Sequence, residues 1–342
     1  MIKANKLFYS ILVVLITIVL LPSIAFAEDL SLQEMFKKFY LNEQKANYIG
    51  FTNTISYMGS KKNIIKTKVY FLYPDKNRFE YLNPQLQGML IIDDGEKICR
   101  YNPVNKCFVL TYVNPLNNRN DGTFKKLLQN YKIEPSGEDI IAKRKTFILK
   151  IVPEYNGNLS QKIWLDKEYF TPLKTELYNS SGKLISCTEF TEINYNVSVE
   201  NSMFDISNEK IQIINSNNET RIAKNKLENI VGFKLVRPSY VPGGYQLEGL
   251  YLSYCRNGFP QAHLRYFDGL NNISLFEKGF QGNQLKCPNR KKMGKGGKHL
   301  QNFQIKKGQF ENIVSLTSND IMFVFIGAID ENELKKMAES IK

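Results

Sequence analysis

Few residues of this 342-residue chain have the types and spacing that catalysis requires. Neither of its two histidines, His263 and His299, lies in an H-E-x-x-H metal motif, and no G-x-S-x-G sequence offers a hydrolase nucleophile. Asp93 and Asp94 could form a carboxylate pair, but Asp-Asp-Gly between two apolar runs is better explained as a hairpin turn. Active sites are recognised by convergent polar groups. Because none is visible, we expect a protein that is not an enzyme and uses no metal or cofactor.

Five cysteines are the second group with chemical potential. Cys99 and Cys107 flank R-Y-N-P-V-N-K, which is typical of a hairpin turn, so a cross-strand disulfide is plausible there. Cys255 and Cys287 could close a second loop, which would leave Cys187 as a free thiol buried in a strand. The alternative is that all five thiols are reduced. No C-x-x-C sequence occurs, so neither a thioredoxin-type redox site nor a paired zinc site is indicated.

The first 27 residues have the pattern of a secretory signal peptide. A lysine-bearing start is followed by an apolar run at 11–21 and by an A-x-A cleavage signal at 25–27. We therefore expect cleavage before Glu28 and export to the periplasm or to the outer face of the cytoplasmic membrane. No cysteine directly follows the cleavage site, so we expect no lipid anchor. No later stretch approaches the roughly 20 apolar residues that a membrane-spanning helix requires.

The exported chain is strongly basic. The full sequence has 46 Lys and Arg against 33 Asp and Glu, and the signal peptide contains two of the lysines and no acid, which leaves a net charge of +11. Such a charge favours acidic partners, among them an anionic membrane surface or an acidic protein segment. Export argues against nucleic acid as a partner.

A basic, glycine-rich segment at 286–299 has two interpretations. It can be a solvated loop whose like charges repel each other. It can also contact an anionic membrane surface through six cationic side chains. Its spacing does not fit a P-loop. The residues expected to make the surface contact are Lys286, Arg290, Lys291, Lys292, Lys295 and Lys298.

The first part of the chain is predicted to begin with a helix, followed by two series of strands with a second helix between them. Ser31–Glu34 fits a capping box followed by apolar residues at helical spacing. A second helix is predicted at 122–132, capped by Asp121. Short β-branched and aromatic runs predict antiparallel strands at 47–58, 64–73, 77–82, 88–93, 96–101, 145–153, 161–166, 172–179 and 184–196.

A polar segment then divides the chain. Residues 207–229 contain few aromatics and predict a linker with some helical character. Residues 230–342 return to short strands and end in a helix with Asp330 at its N-cap. We therefore predict a β-rich α+β protein of two domains. Residues 28–206 would form a large, curved antiparallel sheet, a half-barrel covered by helices, and 230–342 a smaller antiparallel α+β domain.

A curved sheet under helices can enclose an apolar trough, and concave apolar spaces bind small molecules. Same-parity positions on the strands supply the candidate side chains, and a one-residue error in register would move each set to the other face. The alternative is that all of them are ordinary core. The candidates are Phe51, Ile55, Tyr70, Leu72, Phe79, Tyr81, Leu90, Ile92, Phe147, Leu149, Ile151, Ile163 and Leu165.

Three segments of the first domain form a recognisable pattern when they are taken together: FLYPDKNRFEYL, IIDDGEKICRYNPVNKCFVL and residues 137–190. The strongest pieces are Trp-Leu-Asp at 164–166 and Pro-Leu-Lys at 172–174. This pattern resembles the bacterial sigma-factor regulatory proteins of the RseB/MucB type, whose large domain shares its fold with the LolA-type lipoprotein carriers. One departure is Lys143, where the family pattern has a glycine at a local bend.

The second domain resembles the small C-terminal domain of the same proteins more weakly, through PSYVPGGYQLEG and the terminal ELKKMAESI. The Pro242-Gly243-Gly244 sequence is expected to be a structural corner that leads into the first strands of this domain. A catalytic loop would be the alternative for that stretch.

The resemblance implies regulation by binding. Family members sit outside the cytoplasmic membrane, bind the extracytoplasmic segment of a membrane-anchored anti-sigma factor and shield it from proteolysis. Lipid or lipoprotein acyl chains compete through the trough of the large domain. The resemblance thus implies a part in sigma-factor regulation under cell-envelope stress. The alternative is a LolA-like carrier of lipid or lipoprotein at the cell envelope, and the presence of a second domain favours the regulator.

Overall fold

The computed structural model describes most of the chain after the predicted signal peptide. The predicted signal peptide at 1–27 and the basic segment at 286–299 lie outside the described residues. Among the residues that are described, no helix is long and apolar enough to cross a membrane. The described residues are 31–41, 46–58, 61–95, 97–104, 107–112, 120–195, 197–205, 212–215, 219–255, 258–279, 304–307 and 311–341.

The α-helices of the described part are α1 (Leu32–Tyr40), α2 (Asp121–Asn130), α3 (Lys224–Val231) and α4 (Glu331–Glu339). Their starts follow from local sequence. Ser31 and Glu34 exchange the two hydrogen bonds of the predicted capping box, and the predicted cap Asp330 accepts a bond from the Asn332 N–H at 2.9 Å. Helix α2 differs by one residue from the prediction, because Asn120 rather than Asp121 caps it.

Twelve strands form the first sheet, in the order β12-β6-β5-β4-β3-β2-β1-β11-β10-β9-β8-β7. Neighbouring strands are antiparallel except β12, which runs parallel to β6. Strands β7 and β12 are therefore the two edges. The bounds are β1 (Tyr48–Met58), β2 (Lys61–Leu72), β3 (Lys76–Tyr81), β4 (Leu90–Asp93), β5 (Lys97–Asn102), β6 (Cys107–Tyr112), β7 (Tyr131–Ile141), β8 (Arg144–Pro153), β9 (Ser160–Asp166), β10 (Pro172–Tyr178), β11 (Leu184–Tyr195) and β12 (Gln212–Asn215).

Seven strands form the second, antiparallel sheet, in the order β13-β14-β15-β16-β19-β18-β17. Along the strand Ile321–Gly327, buried residues alternate with half-buried ones. The buried face of this sheet forms a core with α3 and α4. Two sheets with few helices confirm the predicted α+β class. The bounds are β13 (Thr220–Arg221), β14 (Gln246–Tyr254), β15 (Pro260–Phe267), β16 (Asn272–Gly279), β17 (Gln304–Lys307), β18 (Asn312–Ser318) and β19 (Ile321–Gly327).

Among the described residues, three clusters of buried side chains pack against the first sheet, and two of them show how it is covered and curved. Phe36 of α1 and Leu127 of α2 lie in one cluster with residues of β8 and β9. The other cluster contains Tyr48 of β1 and Trp164 of β9, although β11 and β10 separate these strands in the sheet. This cluster contains residues of seven consecutive strands of the sheet, from β2 to β7 in the sheet order, which agrees with a curved sheet.

Within the predicted linker at 207–229, the structure describes residues 212–215 and 219–229. Strand β12 pairs with β6 of the first sheet, whereas β13 pairs with β14 of the second. Leu227 and Val231 of α3 are buried in the core of the second sheet. Residues 220–229 therefore pack with the second sheet.

Candidate functional site

The two sheets meet at a contact that we call the joint. One side of it comes from the second sheet and the other from the first sheet and its helices. Its residues are 242–245, 268–271 and 329–333 on the side of the second sheet, and Tyr40, 127–131, 155–158 and Ser180 on the other side.

The turn between β15 and β16 lies at the centre of the joint. The carboxylate of Asp268, which is fully buried there, accepts backbone hydrogen bonds from Leu270 and Asn271 at 2.8 and 2.6 Å. Its other oxygen accepts a 2.6 Å bond from the hydroxyl of Tyr131, the first residue of β7. The side-chain amide of Asn271 donates to that same hydroxyl at 3.0 Å. One carboxylate therefore fixes the turn and ties it to the first sheet.

The C-terminal ends of α1 and α2 contact the same turn. The Tyr40 hydroxyl donates to the carbonyl of Gly269 at 2.9 Å. The Asn130 side-chain amide donates to the carbonyls of Asp268 at 2.6 Å and Gly244 at 3.1 Å. Buried backbone carbonyls of the second domain thus find their donors in the first domain, as buried polar groups must.

Gly269 brings the two domains into backbone contact. Its φ is +102°, and a Cβ at this position would lie 2.4 Å from the backbone nitrogen of Leu127 in α2. No other residue type fits both the dihedral angle and the distance without a shift of the backbone. The close packing of helix and turn therefore requires a glycine.

The predicted corner at Pro242-Gly243-Gly244 is observed, and it belongs to the joint. The Tyr245 N–H donates to the Pro242 carbonyl at 3.2 Å, and Gly244 has a φ of +86°. A Cβ at Gly243 would lie 2.3 Å from Cδ1 of Tyr155 in the first domain. The two glycines therefore serve both the turn and a close contact between domains.

A further part of the joint involves the start of α4. Asn158 and Ile329 form an isolated antiparallel bridge, and the Asp330 N–H donates to the Gly157 carbonyl at 2.9 Å. The Ser180 hydroxyl donates to the Asp330 carboxylate at 3.0 Å. The N-cap residue of the last helix thus also contacts the first domain.

The electrostatics of the joint suit a fixed structural contact. Burial raises the pKa of Asp268, and burial together with the Asp268 carboxylate raises the pKa of Tyr131. Burial also raises the pKa of Tyr245 well above its usual range. Both tyrosines therefore stay protonated near neutral pH, and Tyr131 donates its hydrogen bond to Asp268. This arrangement stabilises a geometry and does not supply a base.

The rim of the joint exposes aromatic and edge-strand surface. Tyr155 is 43% exposed and Tyr240 is 37% exposed, and the Tyr240 hydroxyl donates to Glu333 of α4. Strand β7 starts in the joint with Tyr131 and forms an edge of the first sheet, where Ile140 is 66% exposed. Exposed aromatics and open sheet edges are features through which proteins bind partner segments.

The predicted trough residues of β1 to β4 do not share one face, contrary to the prediction. Phe79 opposes Val69, so Phe79 and Tyr81 lie on the opposite face from the other six. An ion pair of 2.8 Å between Arg78 and Glu80 occupies the expected positions instead. The six residues on the common face are Phe51, Ile55, Tyr70, Leu72, Leu90 and Ile92, and Val199 and Phe204 pack over part of it.

The predicted trough residues of β8 and β9 do share a face. Phe147 opposes Leu165, and Leu149 opposes Ile163. Helices α1 and α2 cover this face, so four of the five residues are buried core. Those four are Leu149, Ile151, Ile163 and Leu165.

The predicted disulfide between Cys99 and Cys107 is wrong. Cys99 is a buried free thiol opposite Leu110, whereas Cys107 opposes Asn102, three positions further along the ladder. That offset separates the two Cα atoms by about 10 Å, too far for a disulfide. Cys187 is a free thiol buried in β11, as predicted.

The second predicted disulfide involves a residue outside the described part. Cys287 lies outside the described residues. The Sγ atom of Cys255 lies 3.3 Å from Nζ of Lys278. The six cationic residues predicted to contact an anionic surface also lie outside the described residues. Both predictions stay predictions.

The Trp-Leu-Asp motif has a structural explanation. The buried Asp166 carboxylate accepts hydrogen bonds from the Arg144 guanidinium at 2.7 and 3.0 Å and from the N–H groups of Glu168 and Tyr169 at 2.8 and 3.1 Å. The guanidinium also lies over the rings of Tyr169 and Tyr195, at 5.2 and 5.1 Å. The motif thus fixes the turn after β9 against the start of β8.

The joint itself was missed by sequence analysis. The Asp268-Gly269 dipeptide could have indicated a turn, and Pro-Gly-Gly predicts a corner. Neither signal reveals which distant residue fills the space beside the turn. Only the fold brings Tyr131 to Asp268.

Comparison with known proteins agrees with this architecture. Residues 59–212 match the model of the MucB/RseB N-terminal domain family. An uncharacterized protein of Methanocaldococcus jannaschii is 24% identical over 318 residues, which cover 86% of this chain and 84% of that protein.

Solved structures of two complexes share the fold over most of the chain. The MucA/MucB complex of Pseudomonas aeruginosa has a TM-score of 0.65 at 16% identity and covers 92% of this chain and 99% of the matched chain. A crystal structure of MucB in complex with MucA(peri) has a TM-score of 0.62 at 15% identity, with coverages of 90% and 97%. The likeness therefore extends over both sheets.

Proposed function

From residues 59–212, which belong to the MucB/RseB N-terminal domain family, we propose that this protein binds the extracytoplasmic part of a membrane-anchored anti-sigma factor. One observation carries the proposal. The fold of 92% of this chain matches that of a chain from the MucA/MucB complex, and the match includes the second domain. The proposal assigns the protein a regulatory binding role outside the cytoplasm and no catalytic activity.

We place the partner at the rim of the joint. A partner segment could add as a strand to the open edge of β7 and continue over the exposed rings of Tyr155 and Tyr240. Strand addition supplies backbone hydrogen bonds, and exposed aromatic rings supply contact area at low entropic cost. The joint would hold both surfaces in one orientation, so that one segment can contact both domains.

The finer part of the proposal concerns acyl chains. A competing chain would need an apolar surface in the large domain, and Leu149, Ile163 and Leu165 form such a surface beneath α1. Phe36 and Tyr40 of α1 would have to leave that surface to admit the chain. We therefore expect hydrogen exchange in α1 to rise when a lipoprotein-derived diacyl ligand is added, and unchanged exchange would argue against the acyl-chain part alone.

In-cell photocrosslinking tests the main proposal. A photoreactive phenylalanine analogue replaces Tyr155, Tyr240 or Ile140 in the tagged chain, and partners are identified by mass spectrometry. Tyr73 and Tyr254, which are 40% and 38% exposed and lie outside the joint, serve as matched control positions. We expect the two rim positions, Tyr155 and Tyr240, and the β7-edge position, Ile140, to recover one single-pass membrane protein and the control positions to recover it less.

The outcomes separate the parts of the proposal. Recovery of the same membrane protein at the control positions alone would place the partner elsewhere on the surface. Recovery of many lipoproteins, or of no membrane protein at any position, would overturn the regulator and favour a carrier.

A further inference from the structure

The β1–β2 hairpin has an unusual charge composition. Residues 48–72 contain Lys61, Lys62, Lys66 and Lys68 and no aspartate or glutamate. Three of the lysines are exposed and Lys68 is half-buried. Within the described part of the chain, none of the four forms a salt bridge. The hairpin therefore presents uncompensated positive charge.

Cross-strand register places apolar residues beside these lysines on one face. Ile55 directly opposes Ile64, and the next pairs on this face in either direction are Tyr57 with Lys62 and Asn53 with Lys66. Side chains of directly opposed residues lie on the same face of a sheet. The face thus combines aliphatic, aromatic and cationic side chains.

Two aliphatic side chains of this region are largely open to solvent. Ile64 is 41% exposed and Leu82 is 47% exposed. Leu82 lies beside Lys66, because its N–H donates to the Lys66 carbonyl at 2.9 Å. The Asn83 side chain holds this arrangement, with bonds of 2.6 Å from the Lys66 N–H and 2.9 Å to the Ile64 carbonyl. The exposed aliphatic residues are therefore fixed next to a lysine.

The end of the hairpin reaches beyond its neighbours in the sheet. Pairing with β3 begins at Thr67, opposite Tyr81, and pairing of β1 with β11 ends at Ser56, opposite Ser186. Residues 61–65 of β2 thus have only β1 as a partner strand among the described residues. A projecting two-stranded end can approach a flat surface that the rest of the domain does not touch.

Nearby acids do not cancel the charge of this face. Glu80 opposes Lys68 but forms its ion pair with Arg78 at 2.8 Å. Glu189 opposes Asn53 and lies 3.5 Å from Nζ of Lys174. The exposed lysines at the end of the hairpin remain available for an external anion.

We propose that the end of the β1–β2 hairpin docks on the surface of an anionic lipid bilayer. Lysines attract the headgroups, and each basic residue near such a surface raises affinity about fivefold. The exposed aliphatic side chains of Ile64 and Leu82 enter the headgroup boundary, and Tyr57 lies at the level where aromatic rings are favoured. An acidic protein would use the lysines but would leave the exposed aliphatic residues without a role, which is why the observations favour a lipid surface.

Vesicle sedimentation tests the proposal with the full exported chain. Vesicles of phosphatidylcholine with about a third phosphatidylglycerol are compared with pure phosphatidylcholine vesicles. We expect binding only to the anionic vesicles, with a decrease as ionic strength rises. Lys62→Glu/Lys66→Glu should lower the affinity at least about thirtyfold, from two lost attractions and the added repulsion. Lys145→Glu/Lys150→Glu changes the net charge equally at exposed positions of β8 and should change binding much less.

A second pair of variants separates a lipid surface from other anions. Ile64→Ser/Leu82→Ser should lower vesicle binding several-fold, whereas Ile140→Ser, at an exposed position of the β7 edge, should not. Equal losses in the two charge-reversal variants would mean that only net charge matters and would overturn the proposal. Vesicle binding that survives Ile64→Ser/Leu82→Ser unchanged would overturn the lipid assignment in favour of an acidic polymer or protein.

Discussion

The hydroxyl of Tyr131 donates a 2.6 Å hydrogen bond to the carboxylate of Asp268, although the two residues are 137 positions apart in the sequence. Both groups are buried at the contact between the two sheets. The carboxylate also accepts both backbone N–H groups of its own turn. A single interaction therefore couples the edge strand of one domain to a turn of the other, and it makes the relative orientation of the domains part of the folded state.

Replacement of Tyr131 by phenylalanine removes this bond and leaves a buried carboxylate with fewer donors. We expect the free energy of unfolding to fall by about 1.5–3 kcal/mol, as for the loss of a hydrogen bond to a charged group. Urea unfolding followed by far-UV circular dichroism measures the change. Tyr254→Phe, at an exposed tyrosine of β14, is the matched control and should have little effect. A fall of equal size in both variants would show that the bond to Asp268 is not responsible.

Glu277 predicts a pH dependence of stability. Its side chain is fully buried in the core of the second domain, and one carboxylate oxygen accepts the Val236 N–H at 3.1 Å. Burial, against the opposing effect of the Val236 hydrogen bond, raises the pKa of Glu277 to about 8; the charge of Glu228 adds to the rise, and that of Lys224 opposes it. Because the raised pKa belongs to the folded state, the stabilisation is complete below the usual pKa of 4.5 and is lost as the pH rises towards about 8.

Glu277→Gln removes the titrating proton and keeps the acceptor for Val236. Between about pH 5 and 8, the free energy of unfolding of the wild type should fall relative to the variant by about 1.4 kcal/mol per pH unit. Urea unfolding at several pH values measures the difference. The exposed Glu134→Gln is the control and should run parallel to the wild type. A constant difference between wild type and Glu277→Gln across this range would show that Glu277 is ionised in the folded protein.

The turn between β7 and β8 shows how a departure from the family pattern is tolerated. Ala142 and Lys143 have φ values of +47° and +63°, so both adopt the left-handed conformation. The bend is therefore present although lysine occupies the position where the family pattern has glycine. Lys143→Gly should raise the free energy of unfolding by about 1 kcal/mol, because glycine adopts this conformation without steric cost.

Lys145→Gly is the matched control for that change. It places the same substitution two residues later, within β8, where glycine should destabilise by about 0.5–1 kcal/mol. Thermal unfolding of both variants measures the two opposite shifts. Destabilisation by Lys143→Gly would mean that the lysine side chain makes a contact worth more than the strain of its backbone.

The family and the fold class could be predicted because they depend on local patterns. Alternating runs predicted most strands, and the Trp-Leu-Asp and Pro-Leu-Lys motifs led to the family whose N-terminal domain model matches residues 59–212. Strand β7 escaped prediction because Pro135 and Gly137 interrupt it and most of its residues are exposed, which removes the alternation. An edge strand that is exposed both on one face and along its open edge has little alternation of apolar and polar residues by which it could be recognised.

The candidate site was harder to predict for a different reason. Tyr70 and Phe71 place aromatic rings on both faces of β2, so parity within each strand could not show that Phe79 and Tyr81 of β3 lie on the face of Phe71 and not on that of Tyr70. The joint depends on side chains and carbonyls that meet only when two domains pack. The sequence around Gly243 predicts a turn and that around Gly269 is compatible with one, but it does not reveal Tyr155 and Leu127, the partners that require glycine there.

The Arg144–Asp166 pair allows a comparison of two carboxylates on one arginine. Asp166 is 1% exposed and accepts four hydrogen bonds, two from Arg144 and two from the backbone. Glu168 accepts one bond from the same arginine at 2.8 Å and is largely exposed. Asp166→Asn should lower the free energy of unfolding by about 2–3 kcal/mol, and Glu168→Gln should leave it nearly unchanged. Urea unfolding measures both, and equal effects would contradict the dominance of the buried carboxylate.

Gly269→Ala tests whether the joint couples the two domains. The added Cβ would lie 2.4 Å from the backbone nitrogen of Leu127, so the turn and α2 must separate. The sole tryptophan, Trp164, reports on the first domain alone, whereas far-UV circular dichroism reports on both. In the wild type we expect the two signals to change together in urea, and in Gly269→Ala we expect the fluorescence and circular dichroism transitions to separate.

Gly182→Ala supplies the control for backbone strain. Gly182 also has a positive φ, +76°, but a Cβ there would meet nothing within 4 Å. This variant shares the cost of alanine in a left-handed conformation and lacks the clash between domains. Its two transitions should shift to lower urea concentration together. If they separate as in Gly269→Ala, strain rather than loss of the joint explains the effect; if neither variant separates them, the domains unfold as one unit without help from this contact.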